Sequence, residues 1–527
     1  LQLLADDGAI VYINGREILR QNMTNTAVAW TNLANSNVTS SSSPAENDYV
    51  AYAISPTNFV DGTNALAVEV HQGPVNTTDF GFDMSLSTYA TITQAVSGAE
   101  TDVVPSASLD IRAVFAPGGE SVVPAGSIPS NTTLTAAGSP WLAAGDIFVP
   151  SNTTLTVEPG ATIRMPDGAS IRVQGQLHLF GTTGQPVRVE ANPADAARVR
   201  INVDPSLTTA DDISPRWGGI TFEAATHVGV LSNVILRSAS LALNDPVNLK
   251  AAVSALNSDI FMHGLDFDDV ELPIFVQNGN STILENSRIR LGLTGDGINI
   301  KRAAYSRVEG CEFSGAFDVD ADAIDYDGVH GGIIRGNYLH DFMGDNDDAI
   351  DVGELVSDLL IESNFIARCT DKGVSIGQTS TAIVRHNLIR DVGLGAGVKD
   401  QGSFGLFENN TFHKAGVGVA VYEKNPGAGG GGVMVRNCIF SESSTAPVTI
   451  DSLSTGLFAY CLSDTLPVAG AGNVLAEPQF ENAAADNFRL QTGSSAIDAG
   501  SPGSDPDADG SRADIGAVAF DWRQGHA

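Results

Sequence analysis

The chain has 527 residues, too many for one ordinary core, and its 28 Lys and Arg against 62 Asp and Glu leave a net charge of −34. So acidic a surface argues against nucleic acid and anionic membranes as partners, and it suits solubility in a salty extracellular medium. No apolar run reaches the roughly 18 residues of a membrane-crossing helix, so no membrane insertion is expected.

Residues 1–95 read as short alternating strands with turn signals. Ala9-Ile10-Val11-Tyr12-Ile13 runs into an Asn14-Gly15 turn, and Asn64–His71 and Phe80–Leu86 alternate likewise. The stretches Asp6–Gly15 and Asp61–His71 resemble β-sandwich modules of galactose-binding type found on bacterial extracellular proteins. That resemblance implies a small antiparallel β-sandwich acting as a spacer or a sugar binder. A start at Leu1 inside a strand, with no leader, reads as a trimmed part of something longer. Residues 96–125, rich in Ala, Pro, Gly, Ser and Val, read as a linker.

From 126 to 527 the expected fold is a right-handed parallel β-helix with a C-terminal cap, so the whole chain is all-β. Leu155–Gly175 alternates apolar and polar residues between glycine turns, and Trp217–Phe222 follows; both resemble the first coils of such solenoids. A short word then recurs: Asp296-Gly297-Ile298-Asn299, Asp322-Ala323-Ile324-Asp325, Asp348-Ala349-Ile350-Asp351, Lys372-Gly373-Val374-Ser375 and Ala396-Gly397-Val398-Lys399, at spacings of 26, 26, 24 and 24. One apolar slot at that period indicates stacked coils. A second ladder, Cys311, Asn337, Asn364, Asn387, Asn410 and Asn437, suits side-chain amides bonded to one another at a turn. Cys438 and Cys461 fall in one slot of successive coils, as buried thiols or a disulfide. The close, Ala496–Gly500 and Ala513–Ala517, resembles the terminal coil of the same class.

With Ile298, Ile324, Ile350, Val374 and Val398 pointing inward, strand alternation sends their neighbours out. One outward column then reads Asn299, Asp325, Asp351, Ser375, Lys399 and Tyr422. The next reads Lys301, Asp327, Gly353, Gly377, Gln401 and Lys424, and Asp296, Asp322, Asp348 and Lys372 occupy the preceding turn. Carboxylates stacked about 5 Å apart repel one another. A hard divalent ion answers that repulsion, and Ca²⁺ tolerates irregular oxygen geometry. Asp322, Asp325, Asp348 and Asp351 are the expected ligands. A lysine beside the ion could remove the C5 proton of a uronic acid, and Lys372 and Lys399 are the candidates. Tyr422, Lys424 and Asn299 would bound the substrate. A separate run, Asp505-Pro506-Asp507-Ala508-Asp509-Gly510, matches the first half of a calcium loop.

This arrangement over residues of about 290 to 430 is similar to the pectate lyases of polysaccharide lyase family nine, and more loosely to the family-six alginate and chondroitin lyases. The resemblance implies that the four aspartates hold Ca²⁺ and that Lys372 or Lys399 is the base. No arginine stands in the outward columns, which weighs against the family-six pattern. The expected protein is a secreted or cell-surface calcium-dependent polysaccharide lyase that cleaves a uronic-acid-containing, acidic polysaccharide by β-elimination. A stiff, self-associating rod with structural ions, or a uronate epimerase, would fit the same columns.

Overall fold

The computed structural model describes residues 121–519 except 196–197, 200–212, 215, 240–250, 271, 292–294 and 316–320. Before residue 121 it describes 1–5, 7–24, 32–36, 49–52, 54–59, 66–71, 73 and 82–85. Residues 96–120 of the expected 96–125 linker, and the ends of the expected strands at Asn64, Ala65, Phe80, Gly81 and Leu86, lie outside the described residues. The chain divides into two units, Leu1–Arg112 and Ala113–Ala527.

The first unit holds two small antiparallel sheets. Gln2–Ala5 pairs with Val50–Ala51 and Phe82–Ser85, and Gly8–Ile13 pairs with Arg16–Gln21 and Leu66–His71. Ile13 faces Arg16 across a two-residue loop, with Asn14 and Gly15 both at positive φ (53° and 76°). That is the backbone an Asn-Gly hairpin turn supplies at least cost. Leu3 and Ala5 of one sheet share an apolar cluster with Ala9 and Val11 of the other.

The second unit is a right-handed parallel β-helix. Its coils carry three strand faces, and the longest separate face stacks 13 parallel strands from Thr132–Leu134 to Thr455–Ala459. The other two faces form one continuous ladder, joined by the long bent strands Phe365–Ile376 and Leu388–Lys399. The first face includes Tyr338–Phe342 and Thr411–His413; the second includes Ile298–Lys301, Ile324–Asp327 and Ile350–Gly353; the 13-stranded face is the third. Alternation does much of the sorting: in strands such as Ile298–Lys301 and Ile324–Asp327 the inward residues are fully buried and their neighbours half-buried. Ser121–Val123 already pairs with Trp141–Ala143, so the first rung falls inside the stretch read as linker.

The asparagine ladder stands at the turn between the third and first faces. Asn337 Nδ2 donates to Asn364 Oδ1 (2.9 Å), Asn364 Nδ2 to Asn387 Oδ1 (2.9 Å), and Asn387 Nδ2 to Asn410 Oδ1 (3.0 Å). Each of these amide oxygens also accepts a backbone N–H from the coil before. The register of the last copy is corrected by one residue. Thr411 pairs with Ile439, so Cys438 follows Asn410 in the slot, and Asn437 instead donates to Asn409 Oδ1. Cysteine thus closes the ladder at both ends, since Cys311 precedes Asn337. All four cysteines are buried, free thiols, including the stacked Cys438 and Cys461. Truncating Asn387 to Ala strands the N–H of Asn364 in the interior. It is expected to cost about 2–4 kcal/mol, read from urea unfolding; an unchanged midpoint would contradict the ladder's role.

The C-terminal close differs from expectation. Coiling ends at Val474–Leu475, stacked on Leu462–Ser463. Ala496–Gly500 and Ala513–Ala517 add no further coil; they fold back along the side. Gly516 N–H donates to Asn437 O, Ala517 N–H to Thr411 Oγ1, and Asn409 Nδ2 to Asp514 O. Ala496 and Ile515 pack on Ile439 and Leu462. The physical reason is that Ile439 and Leu462 point outward and need an apolar cover.

Candidate active site

The repeated word sits on the second face, where Ile298, Ile324, Ile350 and Val374 stack as expected. The fifth copy is corrected by two residues. Val374 pairs with Ala396, and Val398 lies above Ile376. The real column is therefore Asn299, Asp325, Asp351, Ser375, Gly397 and Ala420. Lys399 and Tyr422 belong one column over, beyond Asp327, Gly353 and Gly377. Gln401 and Lys424 leave the strand altogether. Lys424 is exposed, and its backbone N–H donates to Asp400 Oδ1 at 2.7 Å.

The turn aspartates form a backbone ladder. Asp322 N–H donates to Asp296 Oδ1 (3.0 Å), Asp348 N–H to Asp322 Oδ1 (2.7 Å), and Lys372 N–H to Asp348 Oδ1 (2.9 Å). Each carboxylate thus fixes the coil that follows. Asp322, Asp325 and Asp351 each present an oxygen within 4.8 Å of the others. Asp348, the fourth expected ligand, is not among them. Both of its oxygens face Lys372 Nζ, at 3.1 and 3.3 Å, and Asp371 grips the same ammonium. Burial alone would lower the Lys372 pKa, but Asp348 and Asp371 outweigh it and hold the ammonium charged. That buried triad is a poor source of a free base.

Lys399 takes a different path. Its Nζ stands 3.6 Å from Asp351 Oδ1, on the side of the carboxylate cluster. To get there it crosses Gly377, where an added Cβ would lie 2.9 Å from Lys399 Cε. Gly397 likewise makes room for Lys372, with 2.9 Å between the position of a Cβ and Lys372 Cδ. These outward glycines, one coil beside each lysine, are the sequence signal for the two side-chain paths. Tyr422 pairs with Lys399 along the ladder, and burial raises its hydroxyl pKa. Lys301 and Asp327 close the other edge at 2.6 Å.

Burial and mutual repulsion dominate the electrostatics of the cluster. Asp322 is pushed well above the ordinary carboxylate range by burial, then by Asp348, Asp296 and Asp351. Asp325 is pushed up to about 9 by burial, with Asp296, Asp327 and Asp351 adding and Lys301 opposing. Asn299 Nδ2 donates to Asp296 (2.7 Å) and Asp325 (2.5 Å), yet its Oδ1 is buried with no partner. Ser375 Oγ, next to Asp351 in the column, is also buried without one. Three crowded carboxylates flanked by two unsatisfied oxygens are a donor set that a hard cation fits.

The raised groups give a pH prediction with a definite sign. Folded Asp325 holds a proton that the unfolded chain releases above about pH 4. Its contribution to stability is complete below that pH and is lost as pH rises toward about 9. Metal-free protein is expected to melt at falling temperature across that window, and excess calcium to flatten the slope. Equal slopes in calorimetric scans with and without calcium would contradict this.

The expected calcium loop shows no converging set of three carboxylates. Asp505 is exposed, Asp507 Oδ2 accepts the N–H of Asp514, and Asp509 Oδ1 accepts that of Ser511. Among the described residues, only Asp322, Asp325 and Asp351 form a converging set of potential metal ligands. Asp507 is crowded by Asp514, Asp509 and Asp498, and burial first and then these neighbours push its carboxyl up to about 6.

Residues 296–463 match the family model for a right handed beta helix region. No match was found among curated proteins. Among solved structures the chain is similar to pectate lyase Pel9A, at 15% identity over 70% of this chain and 88% of that one, with a TM-score of 0.37. It is similar to the periplasmic alginate epimerase AlgG at 14% identity over 57% and 78%, TM-score 0.38. An alginate lyase from Paenibacillus sp. str. FPU-7 matches at 13% over 56% and 93%, TM-score 0.29. Overlaps this loose say nothing about chemistry, which rests on the site itself.

Proposed function

We propose that the chain is an extracellular, calcium-dependent polysaccharide lyase that cleaves a uronic-acid polymer by β-elimination. The observation that carries this reading is Lys399 Nζ at 3.6 Å from Asp351, beside a three-carboxylate cluster. Asp322, Asp325 and Asp351 would hold the cation, with Asn299 and Ser375 as the neighbouring oxygens. When bound, the cation would neutralise the uronate carboxylate, acidify C5–H and favour a neutral amine nearby. Lys399 Nζ takes the C5 proton. The electron pair forms the C4–C5 double bond, the C4–O bond breaks, and the departing oxygen is protonated from water. Lys372 has a positioning role, holding Asp348 and the turn column in register. Tyr422, beside Lys399, would flank the sugar, and exposed Lys424 would meet a chain carboxylate farther along.

Incubation with a panel of uronic-acid polysaccharides, with calcium and then with chelator, tests the reading. A calcium-dependent rise in the ultraviolet absorbance of the unsaturated product is expected. Exchange of C5 hydrogen with solvent deuterium without that product would make the chain an epimerase. Neither signal on any polymer would leave the structural rod.

A further inference from the structure

The third face lies apart from the candidate site and carries a feature that catalysis does not use. Its central outward column pairs rung by rung as Ile333, Leu360, Ile383, Leu406, Met434 and Leu457. Ile283 and Arg307 precede it in the same register. Ile383, Met434 and Leu457 are 42%, 38% and 56% exposed. Beside this stripe runs a column of alternating sign: Glu309, Arg335, Glu362, Arg385, Glu408 and Arg436. It is joined by ion pairs such as Arg335–Glu362 (2.9 Å) and Arg385–Glu362 (2.8 Å). In a chain of net charge −34, these six residues are together neutral, with Glu285 one rung before them.

We infer that this face is an interface between two copies of the chain, packed with their solenoid axes antiparallel about a two-fold that passes between the rungs of Leu360 and Ile383. The stripe itself is aliphatic, which suits an apolar partner better than a sugar. Complementarity selects the second copy. A two-fold along the strand direction sets stripe on stripe and charged column on charged column. It places Glu362 opposite Arg385, Arg335 opposite Glu408 and Glu309 opposite Arg436, so each of these six charges meets its opposite, and Glu285, one rung before Glu309, falls over Ala459. It also sets Leu360 against Ile383, Ile333 against Leu406, and Arg307 against Met434. The exposed rings of the flanking column, Tyr305 and Phe404, fall over Gly432 and Gly331 instead of over each other. No other centre sets all six charges from Glu309 to Arg436 against their opposites. Eight rungs about 4.8 Å apart and three outward columns about 6.6 Å apart cover roughly 750 Å² per copy. That is near the ~800 Å² per partner of a stable interface.

Sedimentation equilibrium of the full chain tests this, with thermal midpoints as the check on folding. The wild type is expected to be a dimer. Ile383→Glu buries two carboxylates against Leu360 and is expected to weaken association at least 100-fold. Met434→Glu, facing Arg307 across the two-fold, is expected to leave the dimer intact. Arg385→Glu sets carboxylate against carboxylate and should dissociate it, and adding Glu362→Arg should restore it. This charge swap decides the matter even if Ile383→Glu fails to fold. A wild type that is monomeric at every concentration gives the face to another protein and overturns the proposal. So does a dimer that none of these changes disturbs, or one that Ile383→Glu and Met434→Glu dissociate alike.

Discussion

Lys399→Ala is expected to reduce turnover on the cleaved polymer by about 10²- to 10⁴-fold, the usual worth of a general base. Folding and calcium binding should survive, because Lys399 makes a single long ion pair, at 3.6 Å, to Asp351. The informative contrast is Lys372→Met. That change leaves Asp348 buried without its counter-ion and is expected to cost about 3–5 kcal/mol of stability. Protein that still folds should keep a substantial part of its turnover. Steady-state rates and melting curves on the pair separate the roles. Lost turnover with normal stability in Lys372→Met, and the reverse in Lys399→Ala, would exchange the assignments.

Removing a carboxylate from the cluster should change two measurements in opposite directions. Asp325→Asn is expected to weaken calcium binding by on the order of 100-fold or more, at least what a ligand's supporting partner is worth. The same change removes a carboxyl that burial first and its acidic neighbours second make costly to ionise, so the metal-free protein should become more stable at neutral pH. Asp351→Ala should lose calcium in the same way. Asp348→Ala should act chiefly through stability, because its oxygens belong to Lys372. Calorimetric titration of metal-stripped variants, beside their melting temperatures, reads both effects. Undiminished calcium affinity in Asp325→Asn and Asp351→Ala would remove the cluster as a metal site.

The solenoid was legible because the inward slot and the asparagine slot repeat at nearly one interval, and each copy reinforces the others. The two slips of register have separate causes. The coil from Val374 to Ala396 is 22 residues long, shorter than those before it. A two-residue shift preserves alternation, so Val398 satisfied the inward pattern as well as Ala396 did. At Asn409-Asn410 the doubled asparagine let either residue claim the ladder, and Asn437 was matched to the wrong one. The candidate site was legible as a set of columns, because vertical stacking follows from the repeat. Which carboxylates converge was not, since it depends on side-chain paths: Lys372 bends back to Asp348, and Lys399 crosses Gly377. The C-terminal segment was misread because its Ala, Ile and Gly pattern fits a coil and a lateral cover equally well.

The four thiols have a consequence for how the solenoid comes apart. Cys311 and Cys461 are pushed up to about 12 by burial, and Cys369 and Cys438 are raised by the same cause. None presents a thiolate at neutral pH while its coil is closed, so a soluble alkylating reagent sees them only during opening. Cys461 lies near the last coils, Cys438 one rung inside it, and Cys369 and Cys311 progressively deeper. The chain therefore carries its own fraying clocks. The order in which the four positions acquire label reports whether the stack unzips from its C-terminal end or melts as one body.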